Sequence, residues 1–250
     1  MRHLLKSRES LLNEVRERGF SFCASATVQA WLLAQDELAL SDWEVFADSW
    51  NGMPLDQYMA DGGRYRRRRY AVLSAKFAEA DIKLEPHQPH YQSLDYNELN
   101  GGVARHFEAI PTAIIQSHSM QQTLRFCRDT FSQLKPGQNW HIEVHQFRIE
   151  ANLSEVAKPT PEGVHRDGVD FVCVMMVKRE NISSGTTTMH DLQQNTLDSF
   201  TLTNPLDVAI VDDQRSMHGV TPILPIDSHL PAYRDVLVVT FRAINDASVS

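Results

Sequence analysis

Gly163-Val164-His165-Arg166-Asp167-Gly168 carries the strongest signal in this chain of 250 residues. The stretch follows a loop rich in proline and glycine and precedes a mostly apolar run, Val169 to Val177. In an extended chain, residues two positions apart point to the same face. His165 and Asp167, at the entrance of a predicted strand, are therefore expected to reach one ion together.

A second histidine and an arginine follow this pair along the chain. His218 comes after the apolar run Val208 to Val211, and Arg234 opens another apolar strand. Two histidines and one carboxylate that leave coordination positions open form the facial triad of non-haem Fe(II) oxygenases. The sequence therefore predicts one metal ion with three protein ligands, His165, Asp167 and His218.

An alternative interpretation treats these as unrelated polar residues. The histidines would lie in ordinary loops, and Asp167 would be a turn residue before Gly168. Near matches to the same short pattern occur at His106-Phe107-Glu108 and His141-Ile142-Glu143. This alternative explains each residue alone, but it explains neither their order nor an arginine at the head of an apolar strand.

These residues resemble the 2-oxoglutarate/Fe(II)-dependent dioxygenases, and within them the bacterial subfamily that includes free-amino-acid (isoleucine-type) hydroxylases. The resemblance implies an enzyme that uses Fe(II), 2-oxoglutarate and O₂, with ascorbate as a reductant. It converts 2-oxoglutarate to succinate and CO₂ while it hydroxylates or sulfoxidises a small free amino acid or related metabolite. It also implies that His165, Asp167 and His218 hold the iron.

The resemblance further implies an arginine for the distal carboxylate of 2-oxoglutarate. Arginine suits this role because it is always charged and can form a two-pronged carboxylate contact. Arg234 matches by its place after His218, and Arg242 is the second choice. Relatives often carry a hydroxyl two residues past the arginine, where this chain has Val236, so the hydroxyl partner is left between Thr221 and Thr240.

Composition favours a globular cytoplasmic protein. The hydrophobic content of 42% is ordinary for a chain that buries a core, and no apolar stretch approaches the roughly 18 residues of a membrane span. The charged N-terminus is unlike a signal peptide. Three scattered cysteines imply no disulfide framework and suit a reducing compartment.

The net charge of −8 argues against nucleic acid as a partner, because binding phosphates requires surplus cations. The exception is Arg64-Tyr65-Arg66-Arg67-Arg68-Arg69-Tyr70, since basic runs can mark nucleic-acid patches. The run continues into a predicted strand, on which alternate arginines face opposite sides. The arginines could be solvated or ion-paired, or one could enter the active site and bind a substrate carboxylate.

Apolar spacing divides the chain into two parts within one predicted domain. Residues 1–138 are expected to be mainly helical, residues 139–243 to form the core that carries the iron, and residues 244–250 to form a tail. Apolar spacing and stop signals predict helices at Ser10–Arg18, Ser25–Asp36, Asp42–Trp50 and Ser119–Leu134.

The residue pattern of the second part, residues 139–243, predicts strands. Neither face of His141–Glu150 is cleanly apolar, which is natural for a strand that lines a polar cavity. Short strands with turn signals between them indicate a sandwich or barrel at Val169–Val177, Gly185–His190, Ser199–Leu202, Val208–Val211 and Val236–Arg242. Helices followed by strands predict an α+β fold. The resemblance specifies a double-stranded β-helix, or jelly roll, with the N-terminal helices packed on one sheet.

Three classes of function remain open at this point. They are an oxygenase that acts on a small free amino acid, an oxygenase that acts on a macromolecule, and a cupin-like metal- or ligand-binding protein without turnover. Arg234 favours the first two. Candidate substrate contacts for the cavity are Arg105, Arg166, Tyr91 and Gln92, with Glu143 as the partner of a substrate ammonium group.

Overall fold

The computed structural model describes residues 5–77, 79–94, 96, 99 and 101–244, and within them it has five α-helices and thirteen β-strands. The helices are α1 (Arg8–Arg18), α2 (Ser25–Gln35), α3 (Trp43–Asp48), α4 (Thr112–Ile115) and α5 (His118–Leu134). The strands are β1 (Phe20–Cys23), β2 (Arg66–Ala75), β3 (Ile82–Leu84), β4 (Glu108–Ala109), β5 (Asn139–Glu150), β6 (Phe171–Glu180), β7 (Ile182–Ser184), β8 (Thr187–His190), β9 (Thr196–Phe200), β10 (Val208–Asp212), β11 (Met217–Val220), β12 (Ile223–Pro225) and β13 (Tyr233–Ile244).

Local sequence signals explain where the longer helices begin and end. The side chain of Ser7 accepts a hydrogen bond from the Ser10 N–H at the start of α1, and Ser117 does the same for Met120 in α5. Helix α1 ends at Gly19, whose φ of 83° is the left-handed conformation that glycine adopts at low cost. The four predicted helices are confirmed, with ends that lie within two residues of those expected.

The main sheet has eight strands. Its order is β1-β10-β6-β13-β5-β2-β3, all antiparallel, and β4 pairs in parallel with β2. One face of this sheet packs against the helices in the largest apolar cluster of the described residues. In that cluster Phe131 of α5 stacks on Phe171 of β6, with ring centroids 4.9 Å apart and planes within 6°. The helices therefore cover one face of the sheet, as the resemblance implied.

The other face of the main sheet looks onto a second, smaller layer. That layer contains the three-stranded sheet β11-β8-β9 and the pair β12-β7. Met189 of β8 packs against Val172 and Val211 of the main sheet. The two facing antiparallel layers form the predicted jelly-roll core, and the space between them holds the site.

Two expected boundaries differ from the structure. Residues before 139 contribute strands β1 and β2 to the main sheet, so residue 138 does not separate a helical part from the jelly roll. The strand expected from the arginine run is β2, which joins the main sheet beside β5. The expected tail began at Ile244, yet Ile244 ends β13, and residues 245–250 lie outside the described residues.

None of the described helices is both long enough and apolar enough to span a bilayer.

Candidate metal centre and its cavity

The structure brings the three predicted ligands together. Ligand atoms of His165, Asp167 and His218 all lie within 4.8 Å of one another. Nε2 of His165 is 3.7 Å from Oδ1 of Asp167, and Nε2 of His218 is 3.7 Å from Oδ2 of the same carboxylate. The two nitrogens and the carboxylate therefore converge on a point where one divalent ion fits.

Backbone pairing fixes the two histidines relative to each other. The N–H of each donates to the carbonyl of the other, at 2.9 Å in both directions. The neighbouring Gly219 allows this approach, because a Cβ there would lie 3.2 Å from Cγ2 of Val164 and 3.4 Å from the carbonyl oxygen of Gly163. His218 lies in β11, a strand of four residues that the sequence did not predict, since so short a run has no readable periodicity.

Asp213 supports the loop that carries Asp167, and sequence reasoning missed it. Its carboxylate accepts the backbone N–H groups of Asp167 at 2.9 Å, Gly168 at 2.8 Å and Val169 at 3.0 Å. Gly168 has a φ of +81°, the left-handed region that favours glycine. The available signal was the acidic pair that directly follows the apolar run Val208–Val211. Burial and the nearby charge of Asp167 raise the pKa of Asp213 to about 7.

Hydrogen bonding determines which nitrogen of His165 can bind a metal. Nδ1 of His165 lies 3.1 Å from the carbonyl oxygen of Gly163. A carbonyl only accepts, so Nδ1 keeps its proton, and Nε2 is the nitrogen that binds a metal once it has lost its own.

The charges of the three residues are strongly coupled. Burial disfavours charge on His165, but the hydrogen bond with Asp167 and the charges of Glu162 and Asp167 raise its pKa to about 9. Burial and the charge of His165 lower the pKa of His218 to about 4. Although burial opposes it, the hydrogen bond from His165 and the charge of His218 hold the pKa of Asp167 well below its usual range. A metal must therefore displace the proton that His165, Asp167 and His218 share.

Arg234 lies in the same cavity as the three residues, which we call the inner chamber. Its side chain points inward from β13 and is fully buried, and the chamber walls include Met189, Val211 and Val236. Among the described residues, Nε and Nη2 of Arg234 have no hydrogen-bond partner. Burial and the charge of Arg179 lower its pKa to about 10, so it stays a cation at neutral pH. A buried cation with unpaired donors suits an anionic ligand.

The other residues proposed for 2-oxoglutarate lie elsewhere. Arg242 is on the same strand as Arg234 but is exposed, beyond the cavity. Thr221 is exposed and its hydroxyl accepts from the Thr186 N–H at 2.9 Å, whereas Thr240 lines a neighbouring chamber. The threonines that line the inner chamber are Thr160 and Thr187, which the sequence analysis did not consider as the hydroxyl partner.

Comparison with known proteins places this geometry in a family. The sequence model described as 2OG-Fe dioxygenase matches residues 47–240. The chain belongs to the 2OG-Fe dioxygenase family. It is therefore an enzyme that uses iron, 2-oxoglutarate and O₂, and not a cupin-like protein without turnover.

Several relatives of this dioxygenase have names or structures. It is 24% identical to a 3(1)-hydroxy-L-isoleucine 4-dioxygenase from Pantoea ananatis (strain AJ13355), over 86% of this chain and 87% of the relative. It is 27% identical to an L-isoleucine-4-hydroxylase from Bacillus thuringiensis, over 75% and 80% of the two chains. The crystal structure of a bsmA homolog from Methylobium petroleophilum PM1 matches with a TM-score of 0.86 and 34% identity, covering 96% of this chain and 95% of the other.

A second chamber adjoins the inner one in this dioxygenase. Buried arginines dominate it, so we call it the arginine chamber; it is lined by Arg66, Arg68, Arg105, His90, Glu143 and His145. Five residues line both chambers and so lie between them: Arg66, Phe147, Glu162, Asp167 and Val238. The arginine chamber has a cavity volume of about 80 Å³ and adjoins about 110 Å³ in the inner chamber.

The arginine run of the sequence accounts for this chamber. It forms β2, and its side chains alternate as expected for a strand. Arg66 and Arg68 point into the chamber, while Arg67 pairs with Glu150 at 2.7 Å and Arg69 with Glu108 at 2.6 Å on the other side. Arg66, Arg67 and Arg69 are thus ion-paired, and Arg66 and Arg68 enter the chamber.

Strand β5, which pairs with β2 in the main sheet, supplies the adjoining part of the wall. Glu143, His145, Phe147 and Ile149 line the two chambers, while Ile142 and Val144 of the opposite face pack in the core under the helices. The prediction that this strand lines a polar cavity is confirmed.

Glu143 is held by several donors at once. The Tyr70 hydroxyl donates to it at 2.7 Å, and the rings of His90, His141 and His145 approach it at 3.2, 3.4 and 3.7 Å. Although burial opposes it, the hydrogen bonds from His141 and His145 keep the pKa of Glu143 well below its usual value. Tyr70 and His141 hydrogen-bond to Oε1, whereas Oε2 faces the rings of His90 and His145.

His90, Glu143 and His145 also satisfy the distance criterion for a metal site. The hydrogen bonding argues against that use. Nη2 of Arg68 lies 2.9 Å from Nδ1 of His145, and a guanidinium only donates. The His145 proton is therefore on Nε2, the nitrogen that faces Glu143, and no lone pair remains there for a metal.

The other residues that the sequence analysis proposed as substrate contacts lie in different parts of the structure. Arg105 and Gln92 line the arginine chamber, and Gln92 donates to the carbonyl of Asp167 at 3.0 Å. Tyr91 is exposed. Arg166 lies in an outer cleft over the ring of Tyr96, 5.5 Å from its centroid. The sequence analysis missed Glu162, whose Oε1 is 3.4 Å from Nε2 of His165, because a loop glutamate carries no distinguishing pattern.

Proposed function

We propose that His165, Asp167 and His218 bind Fe(II), that Arg234 binds the distal carboxylate of 2-oxoglutarate, and that the enzyme hydroxylates a small free amino acid. One observation carries the site assignment: a buried arginine with unpaired donors shares a chamber with two histidines and a carboxylate. The donor set is that of a non-haem iron centre with open positions.

Each residue of the chain has a defined task in this proposal. The two histidines and Asp167 hold the metal, and Asp213 and the His165–His218 backbone pair fix their positions. Arg234 orients 2-oxoglutarate by a two-pronged contact. The apolar walls exclude water from the reaction.

The bound iron with 2-oxoglutarate supplies O₂ activation. In the overall reaction, one oxygen atom of O₂ enters succinate as 2-oxoglutarate loses CO₂, and the other enters a C–H bond of the substrate. The protein contributes orientation and a dry cavity, while the cofactor carries the oxidative chemistry.

Two observations support a free amino acid as the substrate. The named relatives from Pantoea ananatis and Bacillus thuringiensis are an isoleucine-derivative dioxygenase and an isoleucine hydroxylase. The arginine chamber, next to the proposed iron ligand Asp167, offers cations for a carboxylate. We expect turnover in the cytoplasm with ascorbate as reductant, which suits the three buried thiols.

The test is to incubate the purified enzyme with Fe(II), ascorbate, 2-oxoglutarate and each proteinogenic amino acid in turn. Mass spectrometry should show a gain of one oxygen coupled to succinate. One methylene changes apolar binding by only about 1–3 kcal/mol, so several aliphatic amino acids should react at graded rates. Coupling to a peptide or nucleobase alone would instead select the macromolecular alternative.

A further inference from the structure

Two arginines of the arginine chamber have no ion-pair partner among the described residues. Arg66 is paired with Asp56, whose carboxylate is 2.8 Å away in a buried pair. Arg68 and Arg105 form no ion pair with any described residue, and the Nε of each is buried without a hydrogen-bond partner there. Both guanidinium groups therefore keep donors for an anionic ligand.

These two arginines are already held in place. Arg68 lies between two aromatic rings, 4.0 Å from the centroid of Phe107 and 4.6 Å from that of Phe147. Nη2 of Arg105 lies 3.4 Å from Oε1 of Gln92. Because their positions are fixed before a ligand arrives, little side-chain entropy is lost on binding.

Glu162 is the carboxylate available to a ligand. Its side chain is 14% exposed, and Oε2 is buried without a hydrogen-bond partner among the described residues. It lines both chambers, so it faces the space between the two arginines and the proposed iron ligands. The loop before it is anchored, because the Thr160 hydroxyl accepts from the Val220 N–H at 2.9 Å.

We propose that Glu162 binds the ammonium group of the amino-acid substrate and that Arg68 and Arg105 bind its carboxylate. This assignment rests on the function proposed above and specifies how the substrate is held. With its two charged ends fixed, the substrate side chain lies along the apolar partition formed by Phe147 and Val238, next to Asp167.

The arrangement selects for both charges of a free amino acid. A substrate that lacks one charge leaves a buried charge unpaired, and sites built on such contacts reject incomplete analogues strongly. A residue inside a peptide chain has neither an α-ammonium nor an α-carboxylate. The subsite therefore favours free amino acids over proteins.

The test uses Glu162→Gln, which keeps the shape of the side chain and removes its charge. Glu180→Gln is the matched control, because Glu180 is 51% exposed and outside the chambers. Calorimetry with Mn²⁺ in place of iron, 2-oxoglutarate and no O₂ measures binding without turnover. The ligands are L-isoleucine, its 2-hydroxy acid analogue, which lacks the ammonium group, and its amide, which lacks the carboxylate.

The unaltered protein should bind L-isoleucine about tenfold to a hundredfold more tightly than the 2-hydroxy acid, as expected for a charge-assisted hydrogen bond. In Glu162→Gln that ratio should fall towards one, and in Glu180→Gln it should stay. Arg105→Gln should bring the affinities for L-isoleucine and its amide close together. It should leave the ratio of the affinities for L-isoleucine and the 2-hydroxy acid unchanged.

An unchanged 2-hydroxy acid ratio in Glu162→Gln would overturn the assignment. Loss of stoichiometric Mn²⁺ from that variant would also overturn it, because Glu162 would then be a metal ligand. Failure of the proposed function looks different: the unaltered protein would form no succinate in response to any free amino acid.

Discussion

The carboxylate of Asp213 holds the backbone of Asp167 from the side opposite the cavity, with Oδ1 of Asp213 2.9 Å from the Asp167 nitrogen. The same carboxylate accepts two further N–H groups, so the turn that presents the proposed iron ligand is fixed at three points. Supporting groups of this kind typically change metal affinity by about 10–100-fold when removed.

Asp213→Asn should therefore weaken iron binding by roughly tenfold or more, because the amide nitrogen faces N–H donors that it cannot accept from. Anaerobic Fe(II) titration measures the effect. Asp198→Asn is the control, since Asp198 is an exposed partner of Arg18 that lines neither chamber. Wild-type iron affinity in the Asp213 variant would show that Asp167 holds its position without this support.

His165→Ala and His218→Ala should each lose iron and activity together, because each removes one of three converging donors. Metal content after anaerobic reconstitution measures this directly. His229→Ala, at an exposed position, should keep a full complement of iron. Stoichiometric iron in both active-site variants would contradict the ligand assignment.

Arg234→Ala should keep its iron but bind 2-oxoglutarate about tenfold to over a hundredfold more weakly, the loss typical of a hydrogen bond to a charged group. Titration of the iron-loaded protein with 2-oxoglutarate gives the affinity. Arg242→Ala is the matched control on the same strand and should behave as the unaltered protein, because Arg242 is exposed. The reverse result would transfer the role to Arg242.

His145 should make the fold less stable in acid. Burial and the charge of Arg68 lower its pKa from 6.5 to about 3, so the unfolded chain takes up a proton first as the pH falls. The stabilisation is complete above pH 6.5 and is lost progressively between pH 6.5 and 3; by pH 5 the loss amounts to about 2 kcal/mol of unfolding free energy.

His145→Gln removes this titration, so its unfolding free energy should fall less between pH 8 and pH 5 than that of the unaltered protein. Denaturant unfolding at both pH values measures the difference. His229→Gln, which changes an exposed imidazole, should retain the full acid sensitivity. If the unfolding free energy of the His145 variant falls as much as that of the unaltered protein, groups other than His145 dominate the acid sensitivity.

Local periodicity made much of this structure predictable. The two-residue spacing of His165 and Asp167, and the apolar strand headed by Arg234, are features of single segments. Helix α5 is readable for the same reason, because its apolar stripe repeats within one element. The jelly roll itself came from the family resemblance, since alternation alone indicates only a sandwich or barrel.

Residues whose role depends on pairing between segments could not be predicted. Only the register of β2 against β5, with Arg68 opposite Phe147, determines that Arg66 and Arg68 face the cavity. The sequence could not show that Tyr70 and His90 contact Glu143, because both come from other segments of the chain. Glu162 and Asp213 lie in loops, where no periodicity indicates which way a side chain points.

The four consecutive arginines of β2 cannot specify their own alignment. A slip of one residue would exchange Arg66 and Arg68 for Arg67 and Arg69 and leave the charge of the cavity unchanged, although a slip turns every side chain to the opposite face. The residues that follow the arginines must therefore fix the register of the strand. On one face of the sheet the Tyr70 hydroxyl donates to Glu143, and on the other face Leu73 packs in the core. A deletion within the tract would thus leave the charge of the cavity unchanged but would misplace the next six residues of the strand, Tyr70 to Ala75.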